Sequence, residues 1–157
     1  MDQDSFRSVL GRFASGITVV TAVDDQGRDV GMTVSAFSSV SLEPPLVQLC
    51  VERSASMFGV LLTAERFAVS ILSDEQEALS RRFAKVESSH RFDGLGYQRS
   101  ENGIVLLDDA LAHLECHVAM RYDAGDHMLF LGEVEQAAAR DARPLLYYRG
   151  GYAQLER

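Results

Sequence analysis

Short stretches of alternating or continuous apolar residues dominate the chain, and they predict a protein built mainly from β-strands. The predicted strands cover residues 17–23, 29–34, 46–52, 67–73, 112–122, 127–139 and 145–148. Most of them follow one another through short turns, such as those at 24–27 and 123–126. We therefore expect a mainly β fold, an antiparallel and partly closed barrel, rather than a parallel sheet covered by helices.

One short amphipathic helix is predicted near the N-terminus. Its apolar residues follow the i, i+3, i+4, i+7 spacing of one helix face: Phe6, Val9, Leu10 and Phe13. Asp4 or Ser5 can cap this helix, and Gly16 is a plausible end.

Two further helices are predicted between the strands. Ser54 or Ser56 can cap a helix over residues 57–64, and Ser73 and Gln76 have capping-box spacing for a helix to about Phe83. Residues 86–102 are polar, and we expect them to form a long loop over one end of the fold.

The stretch 112–122 has a period of two, which predicts one core face and one polar face. His113, Glu115 and His117 share the polar face. They would spread over roughly 13 Å at the rise of a strand, too far for three ligands of one tetrahedral ion. We therefore predict no metal site and interpret this face as solvated or as part of an interface.

Composition narrows the class of protein. The chain has 157 residues, 46% of them apolar, which suits one domain over 1–157. A net charge of −8 disfavours non-specific binding to nucleic acid or anionic membranes. There is no apolar run of 18 residues and no apolar signal core, so we expect a cytoplasmic protein without a membrane span. Cys50 and Cys116 are expected to be buried free thiols.

The segment 31–45, GMTVSAFSSVSLEPP, is rich in small hydroxyl residues. Short hydroxyl side chains and backbone N–H groups can surround an anion or a polar ring without a charge. Pro44 and Pro45 mark a stiff boundary between two extended segments, because neither can continue a helix or lie in a central strand. A polar-faced strand followed by a turn is the alternative interpretation.

Arg53-Ser54-Ala55-Ser56 follows an apolar strand directly and precedes a predicted helix. Unpaired N–H groups, a helix dipole and a guanidinium together are typical of phosphate binding. An ordinary capped helix beside a solvated arginine is the alternative.

Four stretches, in order along the chain, resemble the short-chain flavin reductase family, the flavin reductase components of two-component monooxygenases. They are FASGITVVTA at 13–22, GMTVSAFSSVSLEPPLV at 31–47, RSAS at 53–56, and GDHMLFLG at 125–132 with the LLYYRGGY ending. The resemblance implies a split β-barrel that binds FMN or FAD.

The resemblance also implies roles for individual residues. Along the flavin ring, largely through backbone groups, it places Thr33, Val34, Ser35 and Ala36. Along the ring or ribityl chain it places Cys50, Val51 and Glu52. At the phosphate it places Arg53, Ser54 and Ser56, and near the flavin Phe83 and Ala84. We add Ser39 and Tyr152 to the flavin site, and His127 is implied beside the nicotinamide.

The function implied is NAD(P)H-dependent reduction of FMN or FAD, with reduced flavin supplied to a partner oxygenase by a homodimer. Hydride transfer between the two cofactors needs no protein nucleophile, which agrees with the lack of a catalytic triad or carboxylate pair in the sequence. Two alternatives keep the same fold. One holds FMN tightly and reduces another acceptor, such as a quinone or a metal complex, and the other binds flavin or haem without catalysis.

Overall fold

Strands account for most of the regular structure, as predicted. A computed structural model describes residues 1–156 of the chain. The helices are α1 (Gln3–Leu10), α2 (Phe58–Leu61) and α3 (Glu77–Lys85), with a 3₁₀ turn at Ser88–His90. The strands are β1 (Ser15–Gly16), β2 (Thr18–Val23), β3 (Asp29–Val34), β4 (Phe37–Leu42), β5 (Pro45–Glu52), β6 (Arg66–Ile71), β7 (Tyr97–Arg99), β8 (Val105–Leu107), β9 (Ala112–Ala124), β10 (His127–Ala139), β11 (Leu146–Tyr148) and β12 (Gly151–Ala153).

Seven strands form one antiparallel sheet in the order β3-β2-β6-β9-β10-β5-β4. Its two edge strands, β3 and β4, are consecutive in the chain and are joined only by Ser35 and Ala36. The sheet must therefore curl until its edges approach each other, which makes a barrel that stays split along this line. The predicted split barrel is confirmed, and we call the line between β3 and β4 the seam.

The barrel interior holds the main core, formed by alternate residues of the seven strands and by α2. Phe67, Phe130 and Leu49 are fully buried there. A second core lies between β2, α3 and β8, around Phe83 and Leu107. Two smaller sheets, β1-β11-β12 and β7-β8, complete the fold.

The N-terminal helix differs from its prediction at both ends. Asp2, rather than Asp4 or Ser5, is the cap, and its carboxylate accepts from the Ser5 N–H at 2.8 Å. The helix ends at Leu10 with Gly11 as its C-cap, well before Gly16. No residue of α1 is buried, so its apolar face is not covered by this chain.

The other two helices also begin later than predicted. Neither Ser54 nor Ser56 caps α2, whose first turn has no side-chain cap. Half of the predicted capping box forms before α3: the Gln76 side chain accepts from the Ser73 N–H at 3.0 Å. The helix itself starts at Glu77, since the chain first makes a turn at Ser73.

The predicted loop at 86–102 is partly ordered, because it contains the 3₁₀ turn and strand β7. The β7-β8 hairpin folds over the outer face of the sheet, where Leu107 N–H donates to Ser70 Oγ at 3.2 Å. Asn102, in the hairpin loop, donates to Glu115. Glu115 is only 2% exposed, so the predicted solvated face of 112–122 is covered at this point.

Among the described helices, none combines the length and the apolar character that crossing a bilayer requires.

Candidate active site

Ser35 and Ala36 form the link across the seam. The Ser35 carbonyl accepts from Phe37 N–H at 2.9 Å, and the Ala36 carbonyl accepts from Cys50 N–H at 3.1 Å. No backbone carbonyl within residues 1–156 accepts from the N–H of Ser35 or Ala36. Both residues are exposed. The link therefore presents main-chain donors at an open edge of the sheet, a surface suited to a flat polar ring.

Thr33 and Val34 fix the start of that link. The Thr18 hydroxyl donates to the Val34 carbonyl at 2.6 Å, and the Thr33 hydroxyl donates to the Ser80 carbonyl of α3 at 2.7 Å. Val34 is buried, whereas Thr33 is half-buried. These bonds tie the end of β3 to β2 and α3, so the link starts from a rigid support.

The end of β5 and the start of β10 lie side by side next to the seam. Cys50, Val51 and Glu52 pair with Leu129, Met128 and His127, respectively. Because Cys50 is also bonded to Ala36, the two ring segments predicted from the sequence are neighbours. The structure thus brings together residues 35–36, 50–52 and 127.

Two successive turns follow β5, closed by Ala55 N–H to the Glu52 carbonyl and Phe58 N–H to the Ala55 carbonyl, each at 3.0 Å. Ser54 and Ser56 are exposed within these turns, and neither N–H donates to a backbone carbonyl among residues 1–156. A pair of free N–H groups beside serine hydroxyls favours an anion, although α2 is too short to add a helix dipole.

Arg53 lies against the β9–β10 turn. Its backbone N–H donates to the Asp126 carbonyl at 3.0 Å, and its guanidinium forms an ion pair with Asp123. The guanidinium carbon is 5.7 Å from the centre of the Phe58 ring. These contacts hold the only positive side chain of the 50–56 segment at the same end of the barrel as the seam.

His127 opens β10 and faces the same end. Its Nδ1 is 2.7 Å from Asp126 Oδ1, and this hydrogen bond, together with the charge of a protonated His127, lowers the pKa of Asp126. Arg7 of α1 adds a smaller effect of the same sign. The side chain of His127 is 41% exposed, so a ligand can reach the ring.

Four predicted site residues are not among those that these contacts join. The Phe83 side chain is fully buried and packs edge-on against Phe92, with ring centres 5.1 Å apart. Tyr152 bonds through its hydroxyl to Ser80 Oγ at 2.8 Å. Ala84 is exposed at the end of α3, and Ser39 pairs with Val47 along β4.

Ser56 also lines a groove of about 420 Å³ on the other side of the turn, together with Arg28 and Thr63. A second cavity, of about 450 Å³, lies between α3 and residues 95–109 and contains none of the predicted site residues.

No role was predicted for Asp123 or Asp126, although the sequence places both in a turn and Asp126 also in the GDHMLFLG motif. Both contact predicted site residues: Asp123 pairs with Arg53, and Asp126 pairs with His127. The signal available was a pair of carboxylates in the turn that precedes His127. Only the register of β5 with β10 shows that this turn meets Arg53.

The donor set fits a flavin. Main-chain N–H groups at the seam suit the polar edge of a ring, while Arg53 and the free N–H groups of Ser54 and Ser56 suit a phosphate. Residues 35–36 and 50–52 would hold the ring, and 53–56 the phosphate. No group of three or more metal-ligating side chains occurs among the described residues.

Comparison with known proteins gives consistent matches over nearly the full chain. The family model described as "Flavin reductase like domain" matches residues 10–156. An Agrobacterium fabrum protein named FMN reductase (NADH) SmoA is 41% identical over 153 residues, which cover 98% of this chain and 86% of that protein. The Mycobacterium tuberculosis protein named flavin-dependent monooxygenase, reductase subunit HsaB, is 39% identical over 159 residues, covering 99% and 84%.

A solved structure shares the architecture. The NADH:FAD oxidoreductase SgcE6 of Streptomyces globisporus, in complex with NAD and FAD fragments, superposes with a TM-score of 0.92. It is 39% identical, and the match covers 98% of this chain and 93% of that one.

Proposed function

This chain belongs to the flavin reductase family, and on that premise we propose how its own residues serve the reaction. It is an NAD(P)H-dependent flavin reductase, an oxidoreductase that passes a hydride from a nicotinamide to FMN or FAD. A flavin held by these residues would supply the redox chemistry, so the role of the protein is to bind and orient the flavin and the nicotinamide.

The observation that best supports this assignment is the convergence at the seam. Main-chain donors of residues 35–36, the strand end 50–52, Arg53 and His127 all lie at one end of the barrel. In our proposal residues 33–36 and 50–52 bind the ring, and Arg53, Ser54 and Ser56 bind the phosphate. His127 contacts the nicotinamide.

The remaining predicted residues do not belong to this convergent group; they are Ser39, Phe83, Ala84 and Tyr152. Phe83 supports the site from behind, because it packs beneath Gly31, where an added Cβ would lie 2.9 Å from the Phe83 ring. Tyr152 acts in the same way through Ser80, which also accepts from Thr33. We propose positioning roles for both residues.

We propose that this chain passes reduced flavin to an oxygenase. The HsaB relative supports the proposal, because it is named as the reductase subunit of a flavin-dependent monooxygenase. We propose that the chain forms one domain and that two copies form a homodimer. The exposed apolar face of α1 supports the dimer, with Phe6 54%, Val9 63% and Leu10 51% exposed, as does Phe13 just after the helix, which is 83% exposed. Two free cysteines and use of NAD(P)H support a cytoplasmic location.

The test is NADH and NADPH oxidation by the purified protein, with and without free FMN or FAD. We expect free flavin to behave as a saturable substrate, with its reduction rate proportional to enzyme concentration. Turnover only with a quinone or metal complex would replace this proposal with a tightly bound FMN that serves another acceptor. No oxidation of either nucleotide under any condition would leave a non-catalytic flavin-binding protein.

A further inference from the structure

Arg53, the proposed phosphate ligand, already has an anionic partner in this chain. Its guanidinium bonds to the Asp123 carboxylate, and its Nε lies 3.5 Å from the Gly125 carbonyl oxygen. The two partners come from β9 and from the turn after it, whereas Arg53 follows β5. The ion pair therefore depends on the tertiary fold and is not a local contact.

The pair is positioned where a ligand can disturb it. The Arg53 side chain is 44% exposed and that of Asp123 is 78% exposed. An ion pair this exposed is weak, since water screens both charges, so an incoming phosphate can displace the carboxylate at little cost. Each binding event must nevertheless break this ion pair, and the displaced Asp123 carboxylate then lies beside the negatively charged phosphate.

We propose that Asp123 competes with the flavin phosphate for Arg53 and so weakens flavin binding. This inference rests on the proposed function, because it takes Arg53 as the phosphate ligand. In this proposal Asp123 promotes the release of flavin. Because the carboxylate competes for the guanidinium, the flavin is held less tightly and can leave for a second protein. Glu52 precedes Arg53 directly in the chain, and the Asp126 carbonyl accepts from the Arg53 N–H, so two further acidic residues adjoin Arg53.

The test compares the dissociation constants of FMN and riboflavin, which lacks the phosphate, by fluorescence titration of the intact protein. Asp123→Asn should tighten FMN binding about fivefold, which is the effect expected from removing an exposed ion pair. Riboflavin binding should be unchanged, because riboflavin has no phosphate. Stopped-flow measurement should show FMN release slowed by a similar factor. Asp141→Asn is the matched control, because it removes one exposed carboxylate beyond the opposite end of β10.

Asp123→Asn in an Arg53→Ala background should tighten FMN binding by clearly less than fivefold, since competition for the guanidinium is then absent and only like-charge repulsion is relieved. Unchanged or weaker FMN binding in Asp123→Asn overturns the inference, and so does equal tightening of FMN and riboflavin. Arg53→Ala tests the underlying assignment separately. If that variant binds FMN like wild type, the phosphate lies elsewhere, whereas flavin reductase activity itself is judged by the NADH oxidation assay.

Discussion

At the scale of single residues, the proposed site consists of main-chain groups and a few side chains at strand ends. His127 is the side chain that we propose contacts the nicotinamide; it begins β10 beside Glu52 and keeps an exposed ring. Its Nδ1 contact with Asp126 fixes the ring orientation and leaves Nε2 directed away from that carboxylate.

Replacing His127 with alanine should raise KM for NADH about tenfold and slow flavin reduction, because one polar contact to the nicotinamide is lost. The flavin dissociation constant should stay within about twofold of wild type. Steady-state kinetics and a flavin titration measure the two effects. His117→Ala, at an exposed histidine of β9 that pairs with Glu133, is the control. Wild-type kinetics in the His127 variant would remove this residue from the site.

The two thiols provide a second test of the flavin position. Burial raises the pKa of Cys50, and burial together with the charges of Glu115 and Glu135 raises the pKa of Cys116 to about 12. Cys50 is half-buried beside Ala36, whereas Cys116 is fully buried in the barrel core.

With a thiol reagent at pH 8 we expect slow labelling of Cys50 and none of Cys116 until the protein unfolds, because only the thiolate reacts. Saturating FMN should slow the labelling of Cys50 if residues 50–52 line the flavin. Mass spectrometry of the labelled peptides identifies the site, and Cys50→Ser serves as the blank. Labelling at the same rate with and without FMN would argue against Cys50 as a contact.

At the scale of elements, the β9–β10 hairpin organises both the core and the site. It spans 13 residues on each strand, and register shifts at Leu131/Gly132 and Val134/Gln136 bend it around the barrel. Gly132 allows the bend, since a Cβ there would lie 2.6 Å from Phe67 Cζ and 2.8 Å from Cys116 Cβ. The approach of these buried side chains requires glycine.

Gly132→Ala should therefore lower the free energy of unfolding by about 1–3 kcal/mol, the range for an overpacked core. Gly59→Ala is the matched control, because a Cβ there meets nothing within 4 Å and Gly59 lies on the exposed side of α2. Its free energy of unfolding should be unchanged or up to about 1 kcal/mol higher. Urea denaturation compares the two variants, and equal stability in both would contradict this account of Gly132.

At the scale of the whole molecule, the single chain does not bury the apolar face of α1. Phe6, Leu10 and the following Phe13 stay more than half exposed in the single chain. A second copy covering this face would bury it.

The double substitution Phe6→Asp with Leu10→Asp should convert a dimer into a monomer, as measured by analytical ultracentrifugation. The folded monomer should retain its β-sheet circular dichroism, because α1 contributes no buried residue. Ser8→Asp, on the same exposed helix, changes charge without removing apolar surface and should stay dimeric. A dimer that survives the double substitution would place the interface elsewhere.

The sequence alone determined the parts of the protein that depend on local patterns. The strands of 29–34, 46–52 and 127–139 follow from period and residue type. Pro44 lies in the turn between β4 and β5, at the predicted boundary, and Pro45 is the first residue of β5. The order of four motifs also identified the family, since each motif is a local string. Helix starts were less accurate because a cap depends on how the preceding turn folds, as at Ser73 and Asp2.

The tertiary structure decided everything that depends on residues distant in the chain. Glu115 is buried because a hairpin 8 to 18 residues earlier in the chain folds over it, and the residue pattern along β9 does not reveal that cover. Likewise, Arg53 meets Asp123, and Ala36 meets Cys50, only through strand register. Periodicity specifies which face of a strand is apolar, but pairing between strands is a long-range contact, and that pairing builds the seam and its charged rim.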